Sequence, residues 1–304
     1  MLTRTNAAEK RKSLRTALGS GRIQRFPGAF SPLVSLAVER HGFEGVYVSG
    51  AALSADLGLP DIGLTNISEV SARGGAIADS TGIPTIIDAD TGFGEAANVA
   101  RSIRTLENAG LAGCHLEDQV NPKRCGHLEG KELVSCEEMA RKIRAAVSAR
   151  RDPNFLIIAR TDARACEGMD ATLTRAKSYV EAGADMIFPE ALQSEAEFAA
   201  FRQAMSVPLL ANMTEFGKSP LLSAAQLEKL GFQIVIFPVT TLRLAMKAVD
   251  DGLAAIAAQG TQTQIVDKMQ TRAELYKLIG YEHYTAMDQK IAGYAARDSS
   301  GDRH

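Results

Sequence analysis

The chain has 304 residues with a formal net charge of −2, 45% hydrophobic and 23% charged residues, an ordinary globular composition of a length that suits one (β/α)8 barrel. No basic excess exists to neutralise phosphates, which excludes a general nucleic-acid binder, and no apolar run approaches the roughly 20 residues of a membrane-spanning helix. The opening MLTRTNAAEKRKSLR lacks the apolar core of a secretory signal. The four cysteines (Cys114, Cys125, Cys136, Cys166) have neither zinc nor redox spacing, so the reducing cytoplasm is the expected compartment.

In chain order, residues 5–20 read as a helix ahead of the barrel. Short apolar runs then alternate with longer helical stretches. The runs are PGAF (27–30), GVYVSG (45–50), TIIDAD (85–90), GCHLED (113–118), LIIARTD (156–162), MIFPE (186–190), LLANMT (209–214) and IVIFP (234–238). They are nearly continuous rather than alternating, as expected of strands buried on both faces. Between them, Ser135 with Glu138 opens a helix like a capping box, a second spans 170–183, and others cover 194–205 and 240–258. Eight strands each followed by a helix predict a closed (β/α)8 barrel as one domain over 1–304. No GxGxxG follows the first strand, which argues against a doubly wound sheet. Residues 51–68 and 119–134 read as long connections, both at the C-terminal rim where barrel chemistry sits. Residues 261–297 read as helices outside the barrel, and SSGDRH as a disordered end.

The strand ends carry the polar groups: Tyr47, Ser49 and Gly50; Asp88 and Asp90; Glu117 and Asp118; Arg160, Thr161 and Asp162; Glu190; Asn212 and Thr214. In a barrel they surround one basin. Carboxylates crowded on one rim repel each other, so a purely structural protein has no use for them there. Asp88 and Asp90, two apart on a strand, point the same way. With Glu117 nearby and Asp61 in the long loop they suit Mg²⁺, which takes a few oxygens and keeps several waters. Softer metals prefer His or Cys clusters, and none is evident. Arg160 offers a fork for a carboxylate; Arg243 could do the same or form a surface ion pair. Asn212, Thr214 and Ser49 supply neutral donors, although NMTEFG (212–217) also reads as an ordinary loop. His115, inside a strand, reads as a packed core residue.

The stretch KRCGHLEGK (123–131) reads as a loop with a thiol, Cys125, among cations, which lower a thiol pKa. Together these parts suit carbon–carbon cleavage of a 2-hydroxy acid. A metal and arginine hold a multi-carboxylate substrate, and a thiol protonates the carbanion that leaves. The competing class is a redox-sensing barrel with Cys125 as a switch, which has no need of Asp88, Asp90 and Glu117 on one rim.

Lys123-Arg124-Cys125-Gly126-His127 resembles the signature loop of the isocitrate lyase and phosphoenolpyruvate mutase superfamily. The resemblance runs from about residue 20 to 290 and includes YVSG, LGLPD, DADTGFG, EDQ, ARTDA, FPEA, ANMTEFG and GTQ…MQTRAELY. It implies a (β/α)8 barrel whose C-terminal helix is exchanged between subunits of a homotetramer. It also implies Mg²⁺ and cleavage of 2-methylisocitrate to pyruvate and succinate, in the methylcitrate cycle of propionate catabolism. By resemblance Asp88 and Asp90 are metal carboxylates, Asp61 and Glu117 support the metal and its waters, and Cys125 is the acid. Gly126, His127, Ser49, Gly50, Ala51, Arg160, Glu190, Asn212, Thr214, Arg243 and Arg272 are site residues, His127 beside the catalytic cysteine. The resemblance does not settle the base; Tyr47 is the assignment made here. Ala51 stands where isocitrate lyases carry a bulky aromatic, leaving room for an extra methyl. The LEGKELV continuation resembles the loops of dimethylmalate lyases, which keeps 2,3-dimethylmalate, and isocitrate as a side activity, open as substrates.

Overall fold

The computed structural model describes residues 5–124, 126–127 and 130–298. Cys125 and the SSGDRH end lie outside the described residues. In order, the elements are α1 (Ala7–Leu18), β1 (Gln24–Pro27), α2 (Pro32–Arg40), β2 (Val46–Val48), α3 (Gly50–Asp56), α4 (Ile67–Ser80), β3 (Thr85–Asp88) and α5 (Ala96–Asn108). Next come β4 (Gly113–Glu117), α6 (Cys136–Ala149), β5 (Leu156–Thr161), α7 (Ala163–Cys166), α8 (Met169–Glu181), β6 (Met186–Pro189) and α9 (Glu195–Ala204). The chain finishes with β7 (Leu210–Asn212), α10 (Ala224–Lys229), β8 (Ile234–Phe237), α11 (Thr240–Gln259), a 3-10 turn (Thr263–Lys268), α12 (Arg272–Ile279) and α13 (Tyr281–Asp298).

Every strand pairs in parallel with its neighbours, in two sheets ordered β2-β3-β4-β5-β6 and β1-β8-β7. Parallel bridges between Gly28 and Tyr47 and between Ile187 and Leu209 join them, so the strands form one ring. Gly28 is required where that ring closes on β8, because a Cβ there would lie 2.0 Å from the Pro238 carbonyl oxygen.

The side-chain period of two sorts the strands into two cores. Tyr47, Ile86, Ile158, Met186, Phe188, Leu210 and Ile236 form an inner cluster with Phe26. Val48, Ile87, Cys114, Leu116, Ile157, Ala159, Ile187 and Val235 form an outer cluster with the helices. Leu14 of α1 belongs to the inner cluster and is 1% exposed. Its helix is held by Arg11, which donates to the Leu111 and Glu107 carbonyls at 2.8 and 2.5 Å.

Two expectations change. The first strand is QRFP, three residues before PGAF, because Phe26 is the inward residue that registers with Ile236. The connection 51–68 is not wholly loop: Ser49 caps α3 by accepting from the Ala52 N–H, and Asn66 caps α4 with a capping box. Ser135 caps α6 as expected.

The described residues divide into two compact units, Thr5–Ala245 and the part from Met246 on, the division falling within α11. In the second, α12 opens on Thr271 with a capping box to Glu274 and stops at Gly280, whose φ of 71° places it in the left-handed region. Among the described residues no helix is long and apolar enough to cross a membrane.

Candidate active site

On four strands the inward column changes from apolar to polar at the C-terminal end. On β3, Ile86 is followed two residues on by Asp88; on β5, Ile158 by Arg160; on β6, Phe188 by Glu190; on β7, Leu210 by Asn212. Parallel register then sets neighbours: Asp88 stands beside His115, and Glu117 beside Arg160. One cavity opens onto this rim. Its walls include Tyr47, Ser49, Ala51, Asp61, Asp88, Gly126, His127, Arg160, Glu190, Asn212, Thr214 and Arg243, all expected from the sequence, together with Lys123 and Phe188.

The anionic wall is built by β3, β4 and the two long connections. Asp88 accepts from the Asp90 N–H at 3.0 Å and from the Gly50 N–H at 3.2 Å. Gly50 is required: a Cβ would lie 2.9 Å from Asp88 Oδ2. Burial opposes ionisation of Asp88, but His115, Lys123 and Arg160 outweigh it and bring its pKa down to about 2. Asp90, with the left-handed φ of 46°, is pushed up to about 6 by burial, against the pull of Lys123 and with the push of Asp88. Glu117 is 1% exposed. Its Oε2 lies 3.2 Å from Arg160 Nη1, while Oε1 has no hydrogen-bond partner among the described residues. Burial holds its carboxyl well above the usual range.

Lys123, read from the sequence only as a neighbour of Cys125, proves to be part of this wall. Its buried ammonium is paired with Asp61 and lies 2.9 Å from Asp90 Oδ1. Burial would lower its pKa, but Glu117, Asp90, Asp88 and Asp61 raise it far above the ordinary lysine value. No local pattern announces such a role, since the partners lie on two other loops.

The opposite wall is a fixed array of charges. Arg160 Nε and Nη2 reach the two oxygens of Asp162 at 3.0 and 3.2 Å, and its guanidinium lies 5.2 Å from the Phe188 ring centre. The fork expected for a substrate is thus largely held by Asp162 and Glu117, so Arg160 presents charge to the cavity from a rigid mount. Asp162 is itself held by Asp118, which accepts from its N–H at 2.9 Å and from Thr161 and Tyr179 hydroxyls at 2.7 and 2.8 Å. Glu190 takes the Asn212 amide at 3.2 and 3.3 Å and lies 2.9 Å from His127 Nε2. Burial opposes its charge, but Arg160, His127 and Asn212 bring its pKa down to about 2. His127 Nδ1 accepts from the Lys218 N–H at 3.0 Å. Asn212 Oδ1 keeps an open acceptor position among the described residues. Arg243 lies 3.6 Å from Glu215 and 5.2 Å from the Phe216 ring, so the expected surface pair exists on a residue that also lines the cavity.

At the floor, the Tyr47 hydroxyl lies 2.7 Å from His115 Nε2. His115 is not merely packed core: its Nε2 is also 3.6 Å from Asp88, and its Nδ1 has no partner among the described residues. Burial lowers its pKa to about 4, so it is neutral at pH 7. Burial, then Asp88, raises the Tyr47 pKa well above its ordinary value, so the phenol keeps its proton at rest. Arg272, the first residue of α12, belongs to the other compact unit.

Among the described residues no three His, Cys, Asp or Glu side chains converge closely enough to hold a metal by themselves. Mg²⁺ asks for less: one or two carboxylates and several waters. The unpartnered oxygen of buried Glu117 beside Asp88 and Asp90 fits such a hydrated hard cation.

The family model described as phosphoenolpyruvate phosphomutase matches residues 14–257. The chain belongs to that family. Within it, the chain is 58% identical to a probable 2-methylisocitrate lyase 2 of Corynebacterium glutamicum, over 95% of this chain and 94% of that one. The crystal structure of 2,3-dimethylmalate lyase, described as a PEP mutase/isocitrate lyase superfamily member, is 33% identical, with a TM-score of 0.87 over 98% of this chain and 99% of that one. A crystal structure of phosphonopyruvate hydrolase in complex with oxalate and Mg⁺⁺ is 35% identical, with a TM-score of 0.84 over 92% and 98%. These relatives agree with the parallel α/β barrel fold described above.

Proposed function

We propose that this protein is a Mg²⁺-dependent carbon–carbon lyase that cleaves 2-methylisocitrate to pyruvate and succinate, the propionate-derived step of a methylcitrate cycle. The observation that carries the reading is one cavity with hard carboxylates on one wall and a mounted cation with neutral donors on the other. The 58% identical relative names the substrate, and the Mg⁺⁺ of the phosphonopyruvate hydrolase complex supports the metal.

Asp88 and Asp90 would hold Mg²⁺, with Asp61 and Glu117 around its waters. Mg²⁺ supplies a Lewis acid for the hydroxy-carboxylate end and lowers the cost of removing its hydroxyl proton. Ser49, Gly50 and Ala51 border that end, and the small Ala51 leaves space for the methyl group. The hydroxyl proton passes to Tyr47 as Tyr47 passes its own proton to His115 Nε2 along their 2.7 Å hydrogen bond. The oxygen's electron pair becomes the carbonyl of pyruvate, the carbon–carbon bond breaks, and its pair stays on the departing carbon. Arg160, Glu190, Asn212, Thr214, His127 and Gly126 hold that second half, and Arg243 attracts its carboxylates. Cys125 protonates the carbon to give succinate. A homotetramer exchanging C-terminal helices is the assembly that accompanies this reading.

Turnover of 2-methylisocitrate with and without Mg²⁺, beside 2,3-dimethylmalate and isocitrate, tests it. Mg²⁺-dependent release of pyruvate and succinate supports the assignment. Cleavage of 2,3-dimethylmalate alone, giving propionate with pyruvate, would transfer it to the activity of the 33% identical relative.

A further inference from the structure

The sequence leaves Lys131 as an unremarked residue of the long connection after β4. Yet its side chain is 1% exposed, and its ammonium lies 3.1 Å from Asp162 Oδ1 and donates to the Gly126 carbonyl. It does not line the cavity, so it touches neither face that a substrate would meet. Both of its partners are critical joints. Gly126 is wedged against the opposite wall: a Cβ there would lie 2.4 Å from Arg160 Nη2 and 2.6 Å from Glu190 Oε1. Asp162 takes both Nε and Nη2 of Arg160.

We propose that Lys131 is a positioning residue that fastens the Gly126–His127 peptide to the Arg160–Asp162 pair. The physical argument has three parts. A buried ammonium needs its charge and its N–H groups satisfied, and here the Asp162 carboxylate, 31 residues on, balances the charge while the Gly126 carbonyl, five residues back, takes a second N–H. With the Gly126 carbonyl fixed, the next residue, His127, is presented to Glu190 at 2.9 Å. With one oxygen of Asp162 shared between Lys131 and Arg160, the guanidinium keeps its orientation toward the cavity without spending contacts on a mobile partner. Lys131 therefore acts on the reaction through His127, Glu190 and Arg160 rather than by contact, and removing it should act more on the reacting geometry than on ground-state binding.

Two independent readouts test this on the full-length protein, using Lys131→Met, which keeps the bulk, and Lys131→Arg, which keeps the charge. The first is hydrogen–deuterium exchange over residues 126–131, which does not depend on the substrate reading. Exchange should speed at least tenfold in Lys131→Met and stay near wild type in Lys131→Arg. The second rests on the proposed lyase reading: with 2-methylisocitrate, Lys131→Met should lower kcat at least tenfold with KM within about threefold, and Lys131→Arg should recover most of kcat. The effects of Lys131→Met and Asp162→Asn on kcat should combine to less than their product, because both cut one link. If Lys131→Met does not fold, Asp162→Asn must raise exchange in the same segment. Unchanged exchange in Lys131→Met overturns the proposal whatever the substrate proves to be. Faster exchange with unchanged kcat overturns the catalytic half. A wild-type protein inactive on 2-methylisocitrate overturns the substrate reading, and the exchange result then decides the role of Lys131 alone.

Discussion

Lys123 Nζ sits 2.9 Å from Asp90 Oδ1 while also paired with Asp61, so a cation of the chain occupies the centre of the anionic wall. It is 3% exposed, and Glu117, Asp88, Asp90 and Asp61 all act to keep it charged. Replacing it by Met strands buried carboxylates without a counter-charge, which costs about 3–5 kcal/mol in comparable buried pairs. Lys123→Met is expected to lower the urea midpoint accordingly and to abolish turnover. A midpoint equal to wild type would show that the wall does not depend on this ammonium.

Asp90, raised to about 6, links metal binding to protons. Below pH 6 its carboxyl is protonated and must release that proton to serve a cation. Mg²⁺ affinity is expected to rise with pH through about 6 and then level off. Calorimetry in buffers of different ionisation heat should detect roughly three-quarters of a proton released per Mg²⁺ at pH 5.5, falling toward none at pH 7.5. No proton release at pH 5.5 would contradict this.

Glu190 and Asp88 both titrate near 2 in the folded protein. For a carboxylate with a depressed folded pKa, the stabilisation is present above its unfolded value and lost as pH falls toward the folded one. For Glu190 that window runs from about 4.5 to about 2, and the shift corresponds to about 3 kcal/mol. Glu190→Gln should flatten the stability curve between those values. His115, lowered to about 4, adds a loss between 6.5 and 4, where the unfolded chain takes up a proton that the folded one resists. Thermal melts across pH 2.5–7 in the wild type and in Glu190→Gln check both.

The Tyr47–His115 contact of 2.7 Å predicts a proton-transfer phenotype. Tyr47→Phe should reduce kcat by about 10²–10⁴, the usual worth of a positioned acid–base group, with little change in Tm. His115→Phe should reduce kcat similarly if the imidazole receives the proton. Full activity in His115→Phe would leave Tyr47 acting without it.

The fold was readable because its cause is local. The period of two on β3, β5, β6 and β7 places Asp88, Arg160, Glu190 and Asn212 on the inner face, and parallel register does the rest. The first strand was misplaced by three residues because QRFP is short and its inward Phe26 is recognisable only against β8. The pairings of Lys123 and Lys131, and the support that Asp118 gives the rim residue Asp162, are not legible for a different reason. They join residues 62, 31 and 44 positions apart, with Asp61, Asp162 and Asp118, and no spacing rule records such contacts. His115 was read as core because a lone strand histidine usually is; only the Tyr47 hydroxyl across the barrel floor gives it a task.

Cleavage of 2-methylisocitrate by the Mg²⁺-loaded protein in D₂O, followed by ¹H NMR, tests the central claim most directly. The account predicts pyruvate and succinate in equal amounts, with one deuterium on the succinate carbon that lost its bond, because an exchangeable acid protonates it. No pyruvate and succinate, or succinate formed without deuterium, would contradict it.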